Sequence, residues 1–144
     1  MYGILTPIHS LLRWVVLILL LVVIIKSLQG LLSKRSFSGS DNKMSLYLMM
    51  SAHTQLVVGI LLLFVSPFVK FGNMSDSETR FFTMEHTSMM IIAIVFITIA
   101  RISSKKATTD TGKFRRLFIF SLIALLIILA AIPWPFSPIS RPWF

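Results

Sequence analysis

The sequence predicts an all-α bundle of four membrane-spanning helices, up-down-up-down, with both termini outside. Three observations predict it. Apolar residues make up 56% of the 144 residues and charged ones 13%, too little polar surface to coat a water-soluble globule. Four apolar runs of about 20 residues are each long enough to cross a hydrocarbon core of about 30 Å. The basic residues collect in the connections between those runs. A membrane β-barrel would show shorter segments of alternating polarity, whereas these runs are continuously apolar.

The first span is predicted over about residues 8–29. It surrounds the uninterrupted stretch from Trp14 to Ile25 and has Arg13 near one end and Lys26 near the other. The second covers about 46–68 without a formal charge. The third, about 81–100, holds Glu85 and His86 within its first two turns. The fourth, about 117–134, stops at Pro133 and Pro135, which cannot continue a helix. The start lacks the basic region of a secretory signal, and no small-residue cleavage site follows, so the first helix is expected to remain. No linker, low-complexity tract or internal repeat divides the chain, which reads as a single transmembrane domain.

Orientation follows from Lys and Arg. Lys26, Lys34, Arg35, Lys43, Arg101, Lys105, Lys106, Lys113, Arg115 and Arg116 lie on one side, and Lys70, Arg80 and Arg141 on the other. The positive-inside rule puts loops 30–45 and 101–116 in the cytoplasm of what reads as a bacterial inner membrane. The aromatic tail around Trp134 and Trp143 fits an outer headgroup anchor. The net charge of +9 does not indicate nucleic acid, because the basic residues are separated by apolar runs and lack interleaved aromatics. The absence of cysteine excludes disulfides, thiolate metal sites and covalently attached haem. There is no phosphate-cradling glycine loop, zinc-protease helix or nucleophile turn, so hydrolase and transferase chemistry is not expected.

Ionisable groups inside hydrocarbon need a partner, a cavity or a function, because each costs at least about 2.5–3.5 kcal/mol. They are His9, Arg13, His53, Glu85 and His86, with Thr54, Gln55 and Thr87 as milder companions. Counting about 1.5 Å per residue from each span's middle places Arg13 and Glu85 roughly 8 Å, His86 roughly 7 Å and His9 roughly 14 Å outside the midplane. His53 falls roughly 6 Å on the cytoplasmic side. Equal depth predicts an Arg13–Glu85 ion pair, either as a clasp between helices one and three or with Arg13 free to hold an anionic ligand group. His86, His9 and His53 are candidate metal ligands, but each also reads as a hydrogen-bonded packing residue. Met89 and Met90 read as core fillers before ligands. His53 to Gln55 could serve a quinone headgroup, while Ser51, Ala52 and Gly59 read as close helix packing.

His-Ser-Leu-Leu-Arg-Trp at 9–14, Ala-His-Thr-Gln-Leu at 52–56, Glu-His-Thr-Ser-Met-Met at 85–90 and the ending Ile-Pro-Trp-Pro-Phe resemble small four-helix membrane proteins loosely labelled cytochrome b. The resemblance covers nearly the whole chain and is distant from cytochromes of the b561 type. It implies haem b bound by ligands drawn from His9, His53 and His86, with Arg13 near a propionate, and electron transfer linked to quinone. Three histidines permit one bis-His haem, not two. The expectation is therefore an electron carrier in the lipid bilayer, with other inner-membrane subunits as partners. The alternative is a non-catalytic accessory subunit of a larger complex.

Overall fold

The computed structural model describes residues 1–143, and among them all regular structure is helical. α1 spans Tyr2–Ser33, α2 Gly39–Val65, α3 Ser77–Arg80, α4 His86–Lys106 and α5 Asp110–Ala131, with a π-helical turn at Phe81–Glu85 joining α3 to α4. Four segments are long and apolar enough to cross a bilayer: α1, α2, the continuous stretch Ser77–Lys106, and α5. They overrun the apolar runs because a helix does not end at the hydrocarbon boundary; local caps end it. α1 closes on Lys34 in the left-handed conformation, at φ 52°. α2 opens with a capping box between Ser38 and Asp41, and α5 opens on Thr109, whose hydroxyl accepts from Gly112 N at 3.0 Å. At the start of α3 the Thr79 N–H donates to the Asp76 carboxylate and holds its pKa below the ordinary range.

The helices form a four-cornered ring. α1 packs on α2 and α5, and α4 packs on α5 and more loosely on α2. Small residues permit the close contacts: Ala52, Ala93, Ala100 and Ala124 are buried beside Leu20, Leu48 and Ile97. Leu11, Ile18 and Ile25, seven residues apart, stay exposed along α1, as a lipid-facing stripe must. Only 11% of the most apolar window of α2 is buried, against 39% for α1, so α2 is the least embraced helix.

The end of the bundle that carries the short loops is held by polar contacts. Asp41 accepts from both terminal nitrogens of Arg35, at 2.7 and 2.8 Å. Arg101, counted with the loop residues from the sequence, lies inside α4 and is buried. It donates to the Asn42 carbonyl at 2.9 Å, the Asn42 side chain at 3.2 Å and the Ser45 hydroxyl at 2.7 Å. Oxygen atoms from α2 thereby replace water around the guanidinium.

Candidate functional site

Toward the end that holds both termini, the helices diverge around a cavity of about 220 Å³. Its walls are mostly apolar, with Val16, Leu56, Ile94 and Ile128 among them, and its polar groups include His9 and Arg13 from α1, Gln55 from α2, His86 and Thr87 from α4, and Arg141 from the C-terminal tail, besides hydroxyl side chains.

His86 is placed by two prolines. Pro133 and Pro135 have no N–H, so the carbonyls of Leu129 and Ala131 lose their helical donors at the end of α5. Trp134 Nε1 donates to the first at 2.9 Å. His86 Nδ1 lies 2.8 Å from the second. A carbonyl only accepts, so Nδ1 carries the proton and Nε2 keeps its lone pair. The π-helical turn before His86 brings the rings of Phe81 and Phe82 against the imidazole, with centres 5.8 and 6.2 Å away. Such turns recur where a helix has to aim a functional side chain.

His9 faces His86 with ring centres 6.4 Å apart and planes at 66°. The depth count from sequence separated them by roughly 7 Å, because it began the first span at residue 8 and set His9 at the surface. With α1 starting at Tyr2, His9 lies about two turns into the helix, at the level of α2 residues 55–59. There Gln55 Nε2 donates to the His9 carbonyl at 3.0 Å. A Cβ added to Gly59 would lie 3.4 Å from His9 Cε1, so the missing side chain leaves room beside the imidazole.

Three buried polar atoms of these lining residues have no hydrogen-bond partner among the described residues: His9 Nδ1, Arg13 Nε and Gln55 Oε1. Buried polar groups are normally satisfied, so orphans gathered around one cavity point to a ligand or solvent. The Gln55 amide is oriented by its bond to His9, which turns the acceptor oxygen to the unpaired side. Neither Gly59 nor Arg141 was singled out as a site residue from sequence. A glycine's role as vacant space and a distant tail residue's reach have no local signature.

The predicted Arg13–Glu85 ion pair does not form. Glu85 accepts from Arg80 at 3.0 Å, both side chains about half exposed, because residues five apart stack on a π-helical turn. Arg13 donates to the Trp143 carbonyl, which also takes Trp14 Nε1 at 3.3 Å. Glu85→Gln should therefore change thermal stability in detergent by less than about 0.5 kcal/mol, as for an exposed pair. A loss of several times that would restore the clasp. His53 stands outside the cavity, exposed on α2, with Nε2 2.9 Å from the Thr98 hydroxyl. That hydroxyl donates to the Ile94 carbonyl, so its oxygen accepts from His53. Thr54 bonds within its own helix to Met50. Met90 lines the cavity.

No group of three or more His, Cys, Asp or Glu residues that could hold a metal occurs among the described residues. Two imidazoles do occur, and haem iron takes one or two axial side chains. Two nitrogens sharing one metal ion at about 2 Å each would set ring centres about 6 Å apart, which suits His9 and His86. Arg13 and Arg141 offer cationic partners for carboxylates. Space favours something smaller. A cavity of about 150 Å³ is enough for benzene, so this one suits a substituted six-membered ring, and a porphyrin plate is larger than the space present.

Comparison of the chain with protein-family models, with curated proteins and with solved structures gives no match.

Proposed function

We propose that the chain is a small electron-transfer component of the membrane that holds the ring of a lipid-borne quinone in this cavity. The observation that carries the reading is the pair of buried, unpartnered atoms His9 Nδ1 and Gln55 Oε1 in mostly apolar walls. A quinone carbonyl accepts from an imidazole N–H, and the hydroxyl of the reduced form donates to an amide oxygen, so the two atoms match both redox states. The quinone supplies a two-electron, two-proton couple. The protein supplies a dry pocket of ring size, a fixed amide and an imidazole able to exchange a proton. The electrons come from or go to a neighbouring membrane subunit. The positive-inside rule supports a bacterial inner membrane with both basic loops in the cytoplasm, which sets the cavity in the half of the bilayer facing away from it.

One observation, the facing imidazole pair, favours a second reading, the haem b that the cytochrome b resemblance implies. There His9 and His86 would be the axial ligands, Arg13 and Arg141 would face the propionates, and the iron would supply one-electron chemistry.

One preparation tests both. Protein in nanodiscs, titrated with a short-chain benzoquinone or naphthoquinone analogue, should show saturable binding. Gln55→Leu and His9→Leu should each weaken it about tenfold, the equivalent of one hydrogen bond. A colourless protein that binds in this way upholds the quinone reading. A Soret band that disappears in His86→Ala replaces it with the haem reading. A colourless protein with no saturable binding removes both and leaves the scaffold of an accessory subunit.

A further inference from the structure

The cavity has two faces through which a molecule could pass, and they are built differently. At the membrane-surface end the C-terminal tail lies across it. Arg141 pairs with Glu78 and sits over the rings of Phe68 and Phe82, 4.3 and 4.8 Å from their centres. Two residues on, the Trp143 carbonyl is held by Arg13 and Trp14. Arg141 and Pro142 themselves line the cavity. These contacts tie the tail to α1, α3, Phe68 after α2 and Phe82 of the π-helical turn, and so close that end.

The side between α2 and α4 has no such closure. Side-chain hydrogen bonds do join these helices, through His53 to Thr98 and through Arg101 to Asn42 and Ser45, but all of them lie toward the loop end. Among the described residues none joins them beyond His53. There, Ile60 on α2 and Ile91 on α4 both line the cavity, and both are 44% exposed to the surroundings of the bundle. Ile60 lies seven residues beyond His53 and Ile91 seven before Thr98, so the two occupy the faces of α2 and α4 that turn toward each other, between the cavity and the outside of the bundle. Nothing polar has to be broken to pass between them.

We propose that the ligand enters sideways from the bilayer between Ile60 and Ile91 and keeps its long apolar chain there, with its ring reaching in to His9 and Gln55. This rests on the quinone reading for the headgroup and narrows the ligand class to a molecule that lives in lipid. Water-soluble rings would be excluded by the tail at one end and by hydrocarbon at the side. Both isoleucines face lipid, so enlarging them closes the opening without disturbing the core.

The test uses the full chain in nanodiscs and measures association of a quinone analogue with a long isoprenoid chain. Ile60→Trp with Ile91→Trp should slow association about tenfold or more, since a narrowed entry acts on the on-rate. Glu78→Ala, at a residue that does not itself line the cavity, frees the Arg141 side chain that ties down the tail and should leave that rate unchanged. An unaffected rate in the tryptophan variant, with faster entry in Glu78→Ala, overturns the lateral route while leaving the quinone reading intact. A diazirine-tailed phospholipid in the same discs reports on the opening without any quinone. Crosslinks to Ile94 or Ile128 inside the cavity support it even if the headgroup has been misassigned. Crosslinks confined to outward stripes such as Leu11, Ile18 and Ile25 overturn it.

Discussion

Gly30→Ala should cost the bundle about 1–3 kcal/mol or more, measured as a fall in thermal stability and loss of a monodisperse peak in detergent. A Cβ built on Gly30 comes 2.6 Å from three carbon atoms of the Phe114 ring, closer than any real contact of this type. The ring has no room to withdraw. Phe114 is fully buried, packs against Phe37 with centres 5.1 Å apart, and carries Arg35 4.7 Å above its face. On helix propensity alone the change should help by up to about 1 kcal/mol, so the sign of the result separates the two effects. Phe114→Leu, which removes the ring edge, should itself destabilise but should recover most of the Gly30→Ala loss in the double variant, giving a coupling well above the error of such cycles. A Gly30→Ala protein as stable as the parent would mean that the Phe114 ring can yield and that α1 and α5 are not locked together here.

Glycines also show where the sequence was readable and where it was not. The four spans could be read locally, since apolar run length depends only on neighbouring residues. That Gly30 meets Phe114, or that Gly59 leaves room beside His9, depends on which helix lies opposite, and one sequence does not specify this. His9 and His86 were named as candidates because an imidazole in hydrocarbon calls for an explanation. The depth count still set them roughly 7 Å apart, because it began the first span at residue 8 whereas α1 starts at Tyr2. The Arg13–Glu85 expectation failed for a related reason. Equal depth says nothing about which way a side chain points, and the π-helical turn that gives Glu85 to Arg80 carries no pattern in Phe-Phe-Thr-Met-Glu that sets it apart from an ordinary helix. His53 sits at the middle of α2, exposed, with its ring turned to Thr98, a direction that one sequence does not specify.

Asp41→Ala should be the most damaging change at the loop end, at about 2–3 kcal/mol. Its carboxylate does two jobs. One oxygen accepts from the Ser38 backbone N–H and hydroxyl, both at 2.9 Å, and the Ser38 hydroxyl in turn accepts from Asp41 N at 3.3 Å, which fixes the first turn of α2. Both oxygens take the Arg35 guanidinium in a two-point contact. The Asp41 side chain is 3% exposed and that of Arg35 35%, so the ion pair is worth less than a fully buried one, and the lost cap adds to it. With the carboxylate gone, Arg35 remains over the Phe114 ring with its charge unanswered, so the loss propagates to the contact between α1 and α5. Asp41→Asn separates the contributions. The amide keeps an oxygen for the Ser38 N–H but presents an NH₂ toward a guanidinium that only donates, so capping survives and the pair does not. Thermal unfolding should therefore rank the parent above Asp41→Asn and Asp41→Asn above Asp41→Ala, with the difference between the parent and either variant shrinking as salt is added. An Asp41→Ala protein within about 0.5 kcal/mol of the parent would show that water reaches Arg35 freely and that the clasp adds nothing to the cap.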